Sequence, residues 1–130
     1  MSIQIRPYKN EDYNEVASWI VDMPQLSADL LSKSSTFILE MDSKLLFLLT
    51  VYFTNCKEIC FLDNFIGNPK MKNERKEHSQ LLFTYIEELA KDLGYKSVVC
   101  FSNIDKLTQK YETYGYNKLM KNACVLGKGI

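Results

Sequence analysis

The sequence predicts a mixed α+β domain in which a run of antiparallel strands turns parallel at one helical crossover. Three observations carry this. TFILEM and KLLFLLTVYF, both rich in strand formers, are separated only by Asp42 and Ser43. A third such run, KEICFLDNFIG, follows closely. An amphipathic helical segment then leads into the short apolar run KSVVCF. With the flanking segments the order is β-α-α-β-β-β-α-β-α-β-β.

Each element has a local reason. IQIRPY alternates and stops at Pro7, as a first strand does, and Asn10 is placed to cap a helix whose apolar positions Tyr13, Val16, Ala17 and Ile20 keep helical spacing. MPQLSADLLSK carries Leu26, Leu30 and Leu31, with Pro24 suited to the first turn of a short second helix. Asp42 and Ser43 suit a tight hairpin turn. The third strand of that run, over 58–66, ends at Gly67, Asn68 and Pro69, a cluster that stops strands.

In LLFTYIEELAKDLGYKS, Leu82, Tyr85, Ile86, Leu89 and Leu93 recur at intervals of three and four, with Glu87 and Lys91 paired on the outer face. Gly94 supplies a left-handed stop. KSVVCF then reads as a buried strand reached by a crossover. Ser102 or Asn103 caps a further helix that ends at Gly115, and YNKLMKNACVLGKGI predicts two short strands around Lys121 and Asn122.

Composition bounds the function. The chain has 130 residues, 46% hydrophobic and 25% charged, which fits a single domain over 1–130 able to bury about two thirds of its unfolded surface. Sixteen basic residues balance sixteen acidic ones, so the net field offers no signal for nucleic acid or anionic membrane. The longest apolar run, Leu45 to Phe53, is about half of a membrane span. Charged residues interrupt the first twenty positions, so no secretory leader is read there and a cytoplasmic location is expected. Cys56, Cys60, Cys100 and Cys124 show no paired spacing and His78 is the only histidine, so no metal site is expected.

Three stretches, in this order, resemble the GCN5-related N-acetyltransferase (GNAT) superfamily. IQIRPYKNEDYNEV looks like its opening strand and helix. LLFTYIEELAKDLGYKSVV is similar to its long helix and next strand, and KYETYGYNKL to the tyrosine, spacer, glycine and aromatic near its C-terminus. The resemblance implies an α/β/α sandwich with a mixed central sheet of six to seven strands and three to four helices. It implies acetyl transfer from acetyl coenzyme A (acetyl-CoA) to an amine acceptor by direct attack.

The family's phosphate loop, Q/R-x-x-G-x-G/A, falls by this register on Glu74 to Ser79, where no glycine stands. Such a loop aims backbone N–H groups and a helix N-terminus at a pyrophosphate. Glycine permits positive φ and removes a Cβ from the closest approach. A side chain in a left-handed turn costs on the order of 1 to 2 kcal/mol. Glu77 adds a repulsive carboxylate unless it turns to water or pairs with Arg75 or Lys76. Ser79 is small and carries a hydroxyl donor, and a shifted register puts Arg75 in the arginine position. The cofactor-binding candidates of this loop are therefore Arg75, Lys76, Glu77, His78 and Ser79.

By the same resemblance Tyr111 is the acid that protonates the departing thiolate, and Asn103 contacts the pantetheine arm. The backbone of Asn64, Phe65 and Ile66 pairs with the pantetheine amides where two strands splay. Glu58 and Asp63 are five positions apart and so face opposite sides of their strand. Asp63, nearer the splay, is the candidate base, with burial expected to strengthen it. The competing reading is a chain that keeps the fold but acts as a binding, inhibitory or structural module, in one form as a homodimer.

Overall fold

In the computed structural model, which describes residues 2–20, 31–32, 34–102, 104–120 and 126–130, the strands lie side by side in chain order. They are β1 (Ile3–Pro7), β2 (Thr36–Met41), β3 (Lys44–Phe53), β4 (Cys60–Gly67) and β5 (Val98–Cys100). The first three junctions are antiparallel and the last, β4 to β5, is parallel. The β2–β3 turn is Asp42 and Ser43, with φ of 51° and 67°. Two left-handed residues give the turn whose twist matches a hairpin.

Alternation along the strands sorts the core into two layers. Phe37, Leu39, Leu49, Val51, Cys60 and Leu62 face one side, against Leu82, Phe83, Ile86 and Ala90 of α3 (Ser79–Asp92) and Tyr111 of α4 (Asp105–Thr113). Ile38, Leu48 and Ile66 face the other, against Val16, Trp19 and Ile20 in and just after α1 (Tyr13–Trp19). A single turn of helix, α2 (Lys72–Arg75), precedes α3. The result is the expected α/β/α sandwich, and no described helix is long and apolar enough to cross a membrane.

Several local expectations are corrected. Five strands, not six or seven, form the described sheet. No strand is found at 116–120 or 126–130, where Leu119, Met120 and Leu126 stand in solvent. Lys121, Asn122, Cys124 and most of the second predicted helix lie outside the described residues. Asn10 does not cap α1. The Asp12 carboxylate instead takes the Lys9 N–H at 3.0 Å while both its oxygens are held by Arg6, each at 2.8 Å.

The buried stripe of α3 is Leu82, Phe83, Ile86 and Ala90, whereas Tyr85 and Leu93 are exposed. Glu87 accepts a hydrogen bond from Tyr116 at 2.6 Å instead of pairing with Lys91, because the chain after α4 folds back over α3. Glu58 lies in the turn before β4, with an exposed ion pair to Lys96 at 2.8 Å. The glycine stops were read correctly, with Gly94 and Gly115 at φ of 93° and 97° just after α3 and α4.

Candidate active site

The parallel ladder between β4 and β5 has three rungs, Cys60 with Val98, Phe61 with Val99 and Leu62 with Cys100. β4 continues to Gly67 without β5, so beyond Leu62 its edge meets no strand among the described residues. Just past the last rung the strand is bulged. Leu48 pairs with Ile66 and Thr50 with Asp63, so one residue of β3 spans two of β4, and Asn64 sits at φ 50°. The bulge aims Phe65, rather than Asn64, toward the α3 and α4 side, while Ile66 turns to the α1 layer. The Asn64 N–H is taken by the Asp63 carboxylate at 2.8 Å. An open strand edge of this kind offers backbone N–H and C=O groups to an extended, amide-bearing ligand.

Tyr111 stands over this opening. Its ring packs 5.3 Å from Phe83, 6.2 Å from Tyr116 and 6.4 Å from Phe65, and the residue is buried. Burial above all, then the charges that Cys100 and Asp63 would carry, push the phenol well above the ordinary tyrosine range. It therefore holds its proton at every physiological pH. Burial likewise raises the Cys100 thiol, to about 11.

The glycine-free segment is organised in its own way. None of residues 74–79 has positive φ: Glu74 and Arg75 belong to α2, and His78, at φ −113°, precedes α3 without a side-chain cap hydrogen bond. The conformational cost expected there does not arise, because a helical turn has replaced the left-handed loop. Glu74, Lys76 and Glu77 are exposed, so the Glu77 carboxylate rests in water, and His78 is half-buried. Ser79 is buried with its hydroxyl 2.5 Å from that of Tyr114, which ties the start of α3 to the end of α4. Of the first amides of α3, that of Leu81 is taken by the His78 carbonyl at 3.1 Å, while those of Ser79 and Gln80 have no backbone partner.

Two cations gather nearby. Phe47 and Phe65 are stacked 5.1 Å apart; Arg75 lies over the first ring and Lys110 over the second, each at 5.8 Å from the centroid. No ion pair holds either one among the described residues. Burial lowers the proton affinity of both, and for Lys110 the charges of Arg75 and Lys106 lower it further. Partly dehydrated cations that repel each other are relieved by an anion. Lys110 is not among the residues singled out in the sequence, because it comes near Arg75 only across the fold. Its one local signal is its place beside Tyr111.

Asp63 is exposed on the sheet face opposite α3 and α4, so the burial expected there is missing. Asn103 lies outside the described residues. Among the described residues no group of histidine, cysteine, aspartate and glutamate is gathered to hold a metal.

No protein-family model matches the chain, and no curated protein matches it in sequence. Solved structures do match in fold. N-acetylglutamate synthase from Neisseria gonorrhoeae, complexed with coenzyme A and N-acetyl-glutamate, superposes with a TM-score of 0.71 at 17% identity over 85% of this chain. The chain spans only 28% of that enzyme. A putative acetyltransferase from Agrobacterium tumefaciens gives 0.72 at 12% identity, covering 95% of this chain and 99% of its own. An aminoglycoside N-acetyltransferase in complex with CoA gives 0.72 at 12% identity, with 98% and 96% covered. The chain shares the fold of these acetyltransferases, the fold that the sequence resemblance implied.

Proposed function

We propose that this chain, which has the GNAT fold, transfers an acetyl group from acetyl-CoA to a primary amine by direct attack. The observation that carries the reading is the open, bulged edge of β4 beneath Tyr111. Two of the similar structures are described in complex with coenzyme A, which fits such an edge. The pantetheine amides pair with backbone at Asn64 and Phe65, up to Ile66. The diphosphate is held by Arg75 and Lys110, with the first amides of α3 and the exposed Lys76 as lesser partners.

In the reaction the acceptor ammonium first loses one proton to solvent; the neutral nitrogen then forms a bond to the thioester carbonyl carbon and the C–S bond breaks. The departing sulfur takes the proton of the Tyr111 hydroxyl, and the nitrogen gives up its own proton to Asp63. Solvent then restores both groups.

The direct test is the melting temperature of the chain against acetyl-CoA. Ligand at a hundred times its dissociation constant adds roughly 2.7 kcal/mol of stability. For a domain this size that is a rise of about 5 °C or more. No rise at millimolar acetyl-CoA overturns the transferase reading and leaves the binding-module reading.

A further inference from the structure

A groove on the sheet face opposite Tyr111 shares Asp63 with the proposed transfer site and none of the residues proposed to hold acetyl-CoA. Tyr52 and Phe61 are cross-strand partners on β3 and β4, and Phe61 stacks on Phe101 at 5.8 Å with the rings 12° apart. With Leu62 and Asp63 they line a recess of about 320 Å³. Large rings are left in water here, Tyr52 at 43% and Phe101 at 59% exposure, beside the bulge that opens the sheet. Asp63 takes one backbone N–H, and no cationic side chain pairs with it among the described residues. Its charge reaches the Tyr52 phenol, which burial and then this carboxylate push above the ordinary range.

From this we infer that the acceptor is a small primary amine carried on a flat apolar group, an aryl-alkyl amine, with its body on Tyr52, Phe61 and Phe101 and its ammonium at Asp63. The inference rests on the transferase reading for the word acceptor, but the groove is tested without it. Charge selects the occupant. A carboxylate with no cationic partner among the described residues, in one recess with three aromatic rings, favours one ammonium, through ion pairing and cation–π attraction together. A sugar amine would bury hydroxyls against rings that offer them no partner. An amino acid would bring its carboxylate against Asp63. A polyamine would leave its second ammonium without a counter-charge.

The test is calorimetric titration of the full chain with 2-phenylethylamine, 2-phenylethanol and glucosamine, without acetyl-CoA. 2-Phenylethylamine should bind about tenfold or more tightly than the other two, and Phe101→Ala and Asp63→Asn should each weaken it about tenfold. Both side chains are exposed, so circular dichroism and melting should be unchanged. No heat with millimolar 2-phenylethylamine, equal affinity for glucosamine, or unchanged affinity in both variants overturns the assignment. Acetyl-CoA titrated separately keeps the two claims apart. A chain that binds acetyl-CoA but not 2-phenylethylamine loses only the groove, and one that binds 2-phenylethylamine but not acetyl-CoA keeps the groove and loses the transferase reading.

Discussion

The guanidinium of Arg75 lies against the bare Cα of Gly67, so closely that a Cβ there would stand 2.6 Å from Cζ and 2.9 Å from Nε. Gly67 ends β4, ahead of the segment where the GNAT resemblance places its phosphate loop. A glycine is therefore present for close approach after all. It serves a side-chain cation packed on a strand end, where the family's motif sets a glycine in the loop itself.

That relationship predicts a coupled pair. Gly67→Ala should leave the fold intact, since the clash is with the far end of a flexible side chain, and should weaken acetyl-CoA binding about tenfold by displacing the guanidinium. In an Arg75→Ala background the same substitution should do almost nothing, because residues acting through one contact are not additive. Equal losses in both backgrounds, measured by calorimetry, would show that Gly67 serves something other than Arg75.

Tyr111→Phe should lower turnover about a hundredfold while leaving acetyl-CoA affinity alone, since the ring keeps its packing and only the proton is lost. The pH profile adds a sign. With the protonated phenol as the proposed donor and its pKa raised by burial, the phenol sets no fall in rate until pH exceeds the ordinary tyrosine value of 10. A falling limb near neutral pH that disappears in the Phe variant would contradict the burial seen here.

What could be read in the sequence was what is decided within a few residues. Asp42, Ser43, Gly94 and Gly115 announce their turns through backbone preference alone, and the crossover after β4 follows from the lengths of the apolar runs. The core face of α3 was half legible: Leu82 and Ile86 kept their place. Phe83 displaced Tyr85 because the residues packing over the helix, Tyr111, Tyr114 and Tyr116, come from far along the chain. Asn10 lost its cap role to Asp12 for a similar reason, since Arg6 on β1 recruits that carboxylate. The open edge of β4 and the tyrosine packed over it were reachable through family likeness. The Arg75 and Lys110 pair was not, because it exists only once α2 and α4 meet the end of β4.

The Arg6–Asp12 pair predicts how the fold meets acid. Burial alone would raise the Asp12 carboxyl, but hydrogen bonds from Arg6 and the Lys9 backbone outweigh it and hold the group below its ordinary 3.8. A folded-state value below the unfolded one stabilises the native state above pH 3.8, and that contribution is lost as pH falls through the depressed value. Asp12→Asn should flatten this part of the acid-unfolding curve. Asp12→Ala removes the closer carboxylate from the Arg6 guanidinium and leaves it only Glu40, at 3.4 Å, so it should cost about 2 kcal/mol at neutral pH. Urea unfolding followed across the acid range checks both.

Cys100 reports on the splay from the other strand, as the last residue of β5 paired with β4. Burial first, and then the charge of Glu87, carry its thiol from the ordinary 9 to about 11, and the thiolate is the form that alkylates. Iodoacetamide at neutral pH should therefore modify exposed Cys56 quickly and Cys100 very slowly, with Cys100 gaining as pH approaches about 11, read by peptide mass mapping. The same shift is a stability term. A folded-state pKa raised above the unfolded one gives stability fully present below pH 9 and lost as pH rises through about 11, and Tyr111 and Tyr116 act in the same direction at still higher pH. If acetyl-CoA lies along the open edge of β4, it covers the neighbourhood of this thiol, so saturating acetyl-CoA should slow Cys100 alkylation at alkaline pH and leave Cys56 unaffected. Equal slowing at both cysteines would place the ligand elsewhere.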